Sequence, residues 1–257
     1  MIEKDTADFL GRKIFFLHPS VLVQNQVITE LAQEEFETYS VKDEVRLRQF
    51  LKRHPDSIVF ACINEGMKES AWENWIKAVL TDSEITGLDI GIIASGDDAN
   101  LRQKYMGQYK LRCGYTVLKS DVPSVIKQLI HILNSANAKG RRKYVRAVTS
   151  NETNITANFP VNGTFVNGHI RDISTVGFSC CFTEDPDFTK NSLFNDIQLR
   201  LQSQLLKVEG IVFGSRPDGP DKIYVIIFSQ RTSPDVRTKI RKFVHSFLQH
   251  RMDNDLK

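Results

Sequence analysis

The sequence predicts two folded units in tandem: a doubly wound α/β unit with a parallel sheet, then an antiparallel β-barrel closed by one helix. Three observations carry this. Up to about residue 138, short apolar runs alternate with amphipathic helical segments in five β–α units. Beyond residue 147, runs of β type follow one another with only turns between them. The stretch joining the two regimes, Asn134-Ser-Ala-Asn-Ala-Lys-Gly140, is small and polar, with Gly140 the expected helix stop.

Taken in order, Lys13-Ile-Phe-Phe-Leu17 reads as a buried strand stopped by His18-Pro19. Val23, Val27, Ile28 and Leu31 then fall on one helical face. Phe36 to Val41 alternates as a second strand. Asp43 can cap a helix whose Leu47, Phe50 and Leu51 face inward and which ends before Pro55. Ser57 to Cys62 has the continuous apolarity of a strand covered on both faces. Trp72, Trp75, Ile76, Val79 and Leu80 form the next helical stripe. Leu88 to Ala94, Ala99 to Tyr109 and Tyr115 to Leu118 supply a strand, a helix and a strand. Pro123 opens a last helix with Ile126, Leu129, Ile130 and Leu133 inward.

In the second half the expected strands are Ala147 to Ala157, Gly163 to Ile173, Gly177 to Phe182, Leu193 to Leu201, Leu205 to Phe213 and Lys222 to Phe228. Ser233-Pro234 starts a terminal helix with Val236, Ile240, Phe243, Val244, Phe247 and Leu248 on one stripe. Arg237, Lys239, Arg241, Lys242 and Arg251 are expected on its solvated face, packed away from the barrel rather than lying on a membrane.

A chain of 257 residues is comfortable for two domains. Its net charge of +3 is too small for a nucleic-acid coat, so any basic function must be local. Met1-Ile-Glu-Lys-Asp-Thr shows no secretory signal, and no apolar run approaches the ~20 residues a membrane span needs. A cytoplasmic location is expected. Cys62, Cys113, Cys180 and Cys181 lack metal-ligand spacing and read as reduced, buried thiols. No metal site or cofactor is expected. Gly96-Asp97-Asp98 fits a helix cap better than a cation site, and His18 fits a loop residue better than a base.

The chemistry concentrates at the joint. Arg141, Arg142 and Arg146 lie in one short segment, and Asp172-Ile-Ser174-Thr-Val-Gly177 forms a turn between two strands. A guanidinium presents a planar fork matching phosphate oxygens or the O6/N7 edge of guanine. An ionised Asp accepts only, which suits the N–H groups on guanine's other edge. A Ser hydroxyl can bond in either sense, and Gly permits close backbone approach or positive φ.

These two motifs, Arg142-x-x-x-Arg146 and Asp172-x-Ser174-x-x-Gly177, resemble the signature of the PilZ family of cyclic di-GMP receptors, over roughly residues 141 to 251. The resemblance implies a PilZ-type barrel that binds cyclic di-GMP without turnover. It implies that Arg142 and Arg146 grip phosphate and guanine, that Asp172 and Ser174 read the guanine edge, and that Gly177 shapes the turn. Arg141 sits where the family's choice between one ligand and a stacked pair is influenced.

The first unit resembles a response-regulator receiver domain in layout, with Ser95 and Lys119 matching that family's hydroxyl and lysine. Leu17-His18-Pro19-Ser20 lacks the metal-holding acids, and Asn64 or a neighbour stands where the acceptor Asp would be. An amide is neither nucleophile nor useful metal ligand for phosphoryl transfer, so this flavodoxin-like domain is expected to be a degenerate interaction module. The expected domains are therefore 1–138, a linker 139–146 carrying the arginines, and 147–257. The expected protein is a non-enzymatic receptor in which ligand binding at linker and barrel rim reorients the domains toward a protein partner. That partner would meet the receiver-like domain or a barrel surface exposed by ligand. A nucleic-acid-binding barrel, or a scaffold whose barrel takes no ligand, are the alternatives.

Overall fold

The computed structural model describes residues 11–118, 121–219 and 221–256. The chain divides into two compact units. One runs up to Lys143 and includes the last residues from Gln249; the other is Tyr144–Leu248.

In the first unit, strands β1 (Lys13–Leu17), β2 (Thr38–Val41), β3 (Ser57–Cys62), β4 (Asp89–Ala94) and β5 (Tyr115–Val117) form a parallel sheet in the order β2-β1-β3-β4-β5. This is the flavodoxin-like order, with the topological switch between β1 and β3. β3 and β4 are buried along their whole length, which explains their unbroken apolarity. Side-chain alternation divides the core in two. Ile14, Phe16, Ile58 and Phe60 meet α1, a π-helical turn Val23–Val27 continuing as Ile28–Gln33, and α5 (Val122–Ser135). Phe15 points the other way, with its ring 5.7 Å from that of Phe50 on α2 (Glu44–Arg53). Helix α3 (Glu69–Leu80) buries Trp72, Trp75, Ile76 and Val79, and α4 (Ala99–Arg102) continues as a π-helical segment Gln103–Gln108.

Two expectations need correcting here. Helix α5 ends at Ser135, ahead of Gly140: Asn137 takes the left-handed φ of 50°, and the Ala138 N–H closes on Leu133 O at 2.9 Å. The inward stripe of α5 is also wider than expected, since Val125 is buried with Leu129 and Leu133, and Ile126 and Ile130 pack, partly covered, against the same core.

The segment after α5 is tied down by a residue that no motif marked. Arg12 accepts no solvent role: it is 9% exposed, and its backbone N–H donates to Ala138 O at 2.9 Å. Its guanidinium donates to Asp89 Oδ2 at 2.6 Å, Ala136 O at 3.0 Å, Ser57 O at 2.9 Å and Gly87 O at 2.9 Å. Its Nε lies 2.9 Å from Asp56 Oδ1, an ion-pair contact without hydrogen-bond alignment. One planar fork thus joins the starts of β1, β3 and β4 to the end of α5.

In the second unit, β7 (Ile155–Val161), β8 (Thr164–Ser174), β9 (Gly177–Phe182), β10 (Leu193–Leu201), β11 (Gln204–Asp218) and β12 (Asp221–Phe228) follow the order β8-β7-β10-β11-β12-β9. The additional β8–β9 pairing closes the ring, so six antiparallel strands form a barrel and β6 (Arg146–Val148) adds to β8. The expected strand 147–157 is two pieces. The Thr149 hydroxyl donates to Ile170 O and the chain turns through Glu152 N–H to Thr149 O before β7 begins. Phe159 is fully buried, with the rings of Phe178, Phe182, Phe188 and Phe194 within 6.2 Å of its own. Helix α6 (Pro234–Asp255) adds Ile240, Phe243, Val244 and Phe247 to this core, as its periodicity requires.

All four cysteines are free and buried. Burial pushes the Cys62 and Cys113 thiols up to about 12 and raises that of Cys180, which suits packing rather than reactivity. Among the described residues, no helix is long and apolar enough to cross a membrane.

Candidate functional site

Strand pairing assembles one cluster from three neighbouring strands. β6 runs antiparallel to β8 with Arg146 opposite Ser174 and Val148 opposite Asp172. Arg146 reaches diagonally to Asp172, its Nη1 donating to Oδ1 at 3.0 Å. On the other side, β9 places Ser179 opposite Asp172 and Gly177 opposite Ser174. Ser179 donates from its hydroxyl to Asp172 Oδ2. The alternation of strands puts Asp172 and Ser174 on one face, while Ile173 and Phe178 enter the barrel core between them.

The register is made by a bulge. Pairing slips between Ile170 and Asp172, leaving Arg171 as the extra residue, and this aims Asp172 at Ser179. The Arg171 side chain is held by Asp221 of β12.

Ser174 and Gly177 close the hairpin. The Ser174 hydroxyl is 2% exposed, donates to Gly177 O at 3.1 Å and lies 3.5 Å from the Val176 N–H. Gly177 owes its identity to close approach rather than to positive φ: a Cβ there would overlap the carbonyl oxygen of Ile226 on β12. Gly177→Ala is expected to destabilise the barrel by about 1–3 kcal/mol, because backbone cannot yield as a flexible side chain can. Urea unfolding monitored by circular dichroism checks this, and an unchanged midpoint would count against the close-approach reading.

Arg237 departs from its expected place on a solvated helix face. It is half-buried and donates to Ser229 O at 2.7 Å, Thr232 O at 3.3 Å and Thr175 O at 3.3 Å. Thr175 is the first residue of the hairpin loop, so α6 clamps the turn that carries Ser174 and Gly177.

Of the six candidate residues, Arg146, Asp172, Ser174 and Gly177 are brought together within the second unit. Arg141 and Arg142 are exposed and belong to the first, where Arg141 helps line a cleft of about 580 Å³ with Arg12, Asp89 and Arg112. Ser179, Arg171 and Arg237 carry no motif. Ser179 was signalled only by lying two residues after Gly177 on the same strand face.

At the C-terminal edge of the first unit's sheet, the residues singled out by sequence make structural contacts. Asn64 Oδ1 accepts from the Ser95 N–H at 2.7 Å. His18, at φ 51°, sits 3.1 Å from Glu44 through Nε2 and packs edge-on against Trp72. Asp98 caps α4 by accepting from the N–H groups of Asn100 and Leu101 at 2.8 and 3.1 Å, and Asp97 pairs with Arg102. Lys119 lies outside the described residues.

Residues 140–246 match the family model of the PilZ domain, so the chain carries a PilZ domain there. Among solved structures, the chain is similar to the PilZ domain with c-di-GMP of YcgR from Escherichia coli, at 12% identity and a TM-score of 0.39 over 44% of this chain and 96% of that one. It is also similar to the K. pneumonia MrkH–c-di-GMP complex, at 18% identity and 0.41 over 46% of this chain. A third is the Bacillus subtilis inhibitor of motility MotI/DgrA, at 13% identity and 0.35 over 44%. The chain spans 57% of the MrkH chain and 52% of the MotI chain. No curated protein matches the chain.

Proposed function

We propose that this chain is a non-catalytic cyclic di-GMP receptor in which ligand binding reorients the two units and so controls a protein partner. One observation carries the reading: within a matched PilZ domain, the Arg146, Asp172, Ser174 and Gly177 of its signature lie together on three adjacent strands. Arg146 and Arg142 would bond phosphate oxygens and guanine, with Arg141 beside them. Asp172 would accept from a guanine edge; Ser174, expected to read that edge too, is 2% exposed with its hydroxyl on Gly177 O, and would instead hold the turn in shape with Gly177.

The geometry also suggests an exchange. Arg146 is paired with Asp172; the phosphodiester groups and the guanine O6/N7 edge of a cyclic dinucleotide together offer the same fork alternative acceptors, and a guanidinium drawn to them leaves an Asp172 oxygen for guanine N–H groups. Ordering the segment from Arg141 to Val145 costs about 1–2 kcal/mol per residue in backbone entropy, and charge-assisted bonds of ~1.5–3 kcal/mol each can offset it. A linker gripped at its far end would restrict the first unit, which turns occupancy into orientation. The partner would then meet a surface of the receiver-like unit or of the barrel.

Calorimetry with cyclic di-GMP on the intact chain and on Arg142→Ala tests this. Saturable binding weakened about tenfold or more by the replacement is expected, since one charge-assisted contact is lost. Small-angle scattering with and without ligand tests the reorientation separately. Binding that instead falls steeply with salt and grows with oligonucleotide length would favour nucleic acid.

A further inference from the structure

We infer that Ser179 is a positioning residue for guanine recognition, acting by fixing the carboxylate plane of Asp172. The inference rests on the cyclic di-GMP reading above and adds a residue outside its signature.

A carboxylate carries about four lone-pair sites, and which of them face a ligand depends on rotation about the bond to Cβ. Here that rotation is set from both sides. Arg146 on β6 donates to Oδ1, and Ser179 on β9 donates to Oδ2. The two holds differ in permanence. The Arg146 side chain is 40% exposed and sits on a three-residue edge strand, whereas Ser179 is 4% exposed on β9, which is paired on both sides within the closed barrel. Ser179 is also in direct register with Asp172, because the Arg171 bulge has been absorbed before that pair. Asp221 keeps the bulged arginine in place.

When Arg146 turns to a phosphate, Ser179 is the donor that stays. Asp172 then keeps one oxygen tethered, and its remaining lone pairs point along a defined direction for the N1–H and N2–H of guanine. A residue of similar size without a donor would fill the same space and leave the carboxylate free to rotate, so rotamer freedom would be lost on binding. Preorganised acceptors discriminate between edges, since a mismatched base leaves a polar group unpaired. Ser179 therefore governs selectivity for guanine as well as affinity.

The test is calorimetry on the full chain with cyclic di-GMP and with its inosine counterpart, which lacks the N2–H groups. The proteins are wild type, Ser179→Ala, Ser179→Cys, which keeps the volume with a weak donor, and Ser179→Thr, which restores the hydroxyl. Ser179→Ala and Ser179→Cys are expected to bind cyclic di-GMP about tenfold more weakly and to narrow the guanine-over-inosine preference. Ser179→Thr is expected within about twofold of wild type, since its hydroxyl remains. An intact chain that takes up no cyclic di-GMP overturns both this inference and the function it rests on. Wild type that binds while Ser179→Ala binds equally well overturns the inference alone. So does a loss of equal size for both ligands, which would mark Ser179 as a packing residue.

Discussion

Replacing Arg146 by Ala is expected to weaken cyclic di-GMP binding about a hundredfold or more while leaving the barrel folded. The two halves of that expectation come from different magnitudes. Toward ligand, the guanidinium offers at least two charge-assisted bonds of about 1.5–3 kcal/mol each, and every 1.4 kcal/mol is tenfold in affinity. Toward the fold, its pair with Asp172 is 40% and 22% exposed at the two side chains, and such pairs contribute about 0–1 kcal/mol. Calorimetry and a urea melt on the same variant separate the two. Arg146→Lys should recover little, because an ammonium keeps the charge and loses the fork. Affinity within about threefold of wild type for Arg146→Ala would remove Arg146 from the site.

Replacing Arg12 by Ala should destabilise the first unit by about 3–5 kcal/mol, the usual consequence of stripping the partner from a buried charge. Asp89 is 3% exposed and, among the described residues, would keep Arg112 as its cationic partner, whose own side chain is 80% exposed. The carbonyls of Ser57, Gly87 and Ala136 would lose their donor as well. The protein offers a selective readout, since its two tryptophans, Trp72 and Trp75, both lie in the first unit. Tryptophan fluorescence during urea unfolding therefore follows that unit. Removing both charges, as Arg12→Met with Asp89→Leu, should recover much of the loss, because the unpaired charge is then gone. A midpoint unchanged in Arg12→Ala would show that the fork is dispensable.

These two arginines differ in how far the sequence revealed them. Arg146 stands in a spaced motif, four residues after Arg142 and upstream of an Asp-x-Ser-x-x-Gly turn. Arg12 stands beside a strand with nothing to distinguish it, and its meaning comes from Asp89, 77 positions away. Ser179 is similar: strand period placed it on the right face, but only the bulge at Arg171 put it opposite Asp172. Arg237 was read by helical period as solvent-facing, and the neighbouring carbonyls of Ser229, Thr232 and Thr175 overruled that reading.

By itself the sequence determined the succession of elements in both units, the apolar faces that build each core, and the residue types offered at the joint. Period and turn chemistry are local properties, written into adjacent residues. Tertiary structure alone decided that β8 and β9 pair to close the ring, that Gly177 is required by Ile226 rather than by its own φ, and that Asp172 is held between Arg146 and Ser179. Those facts depend on register between strands distant in the chain, and a shift of one residue would turn every side chain to the opposite face.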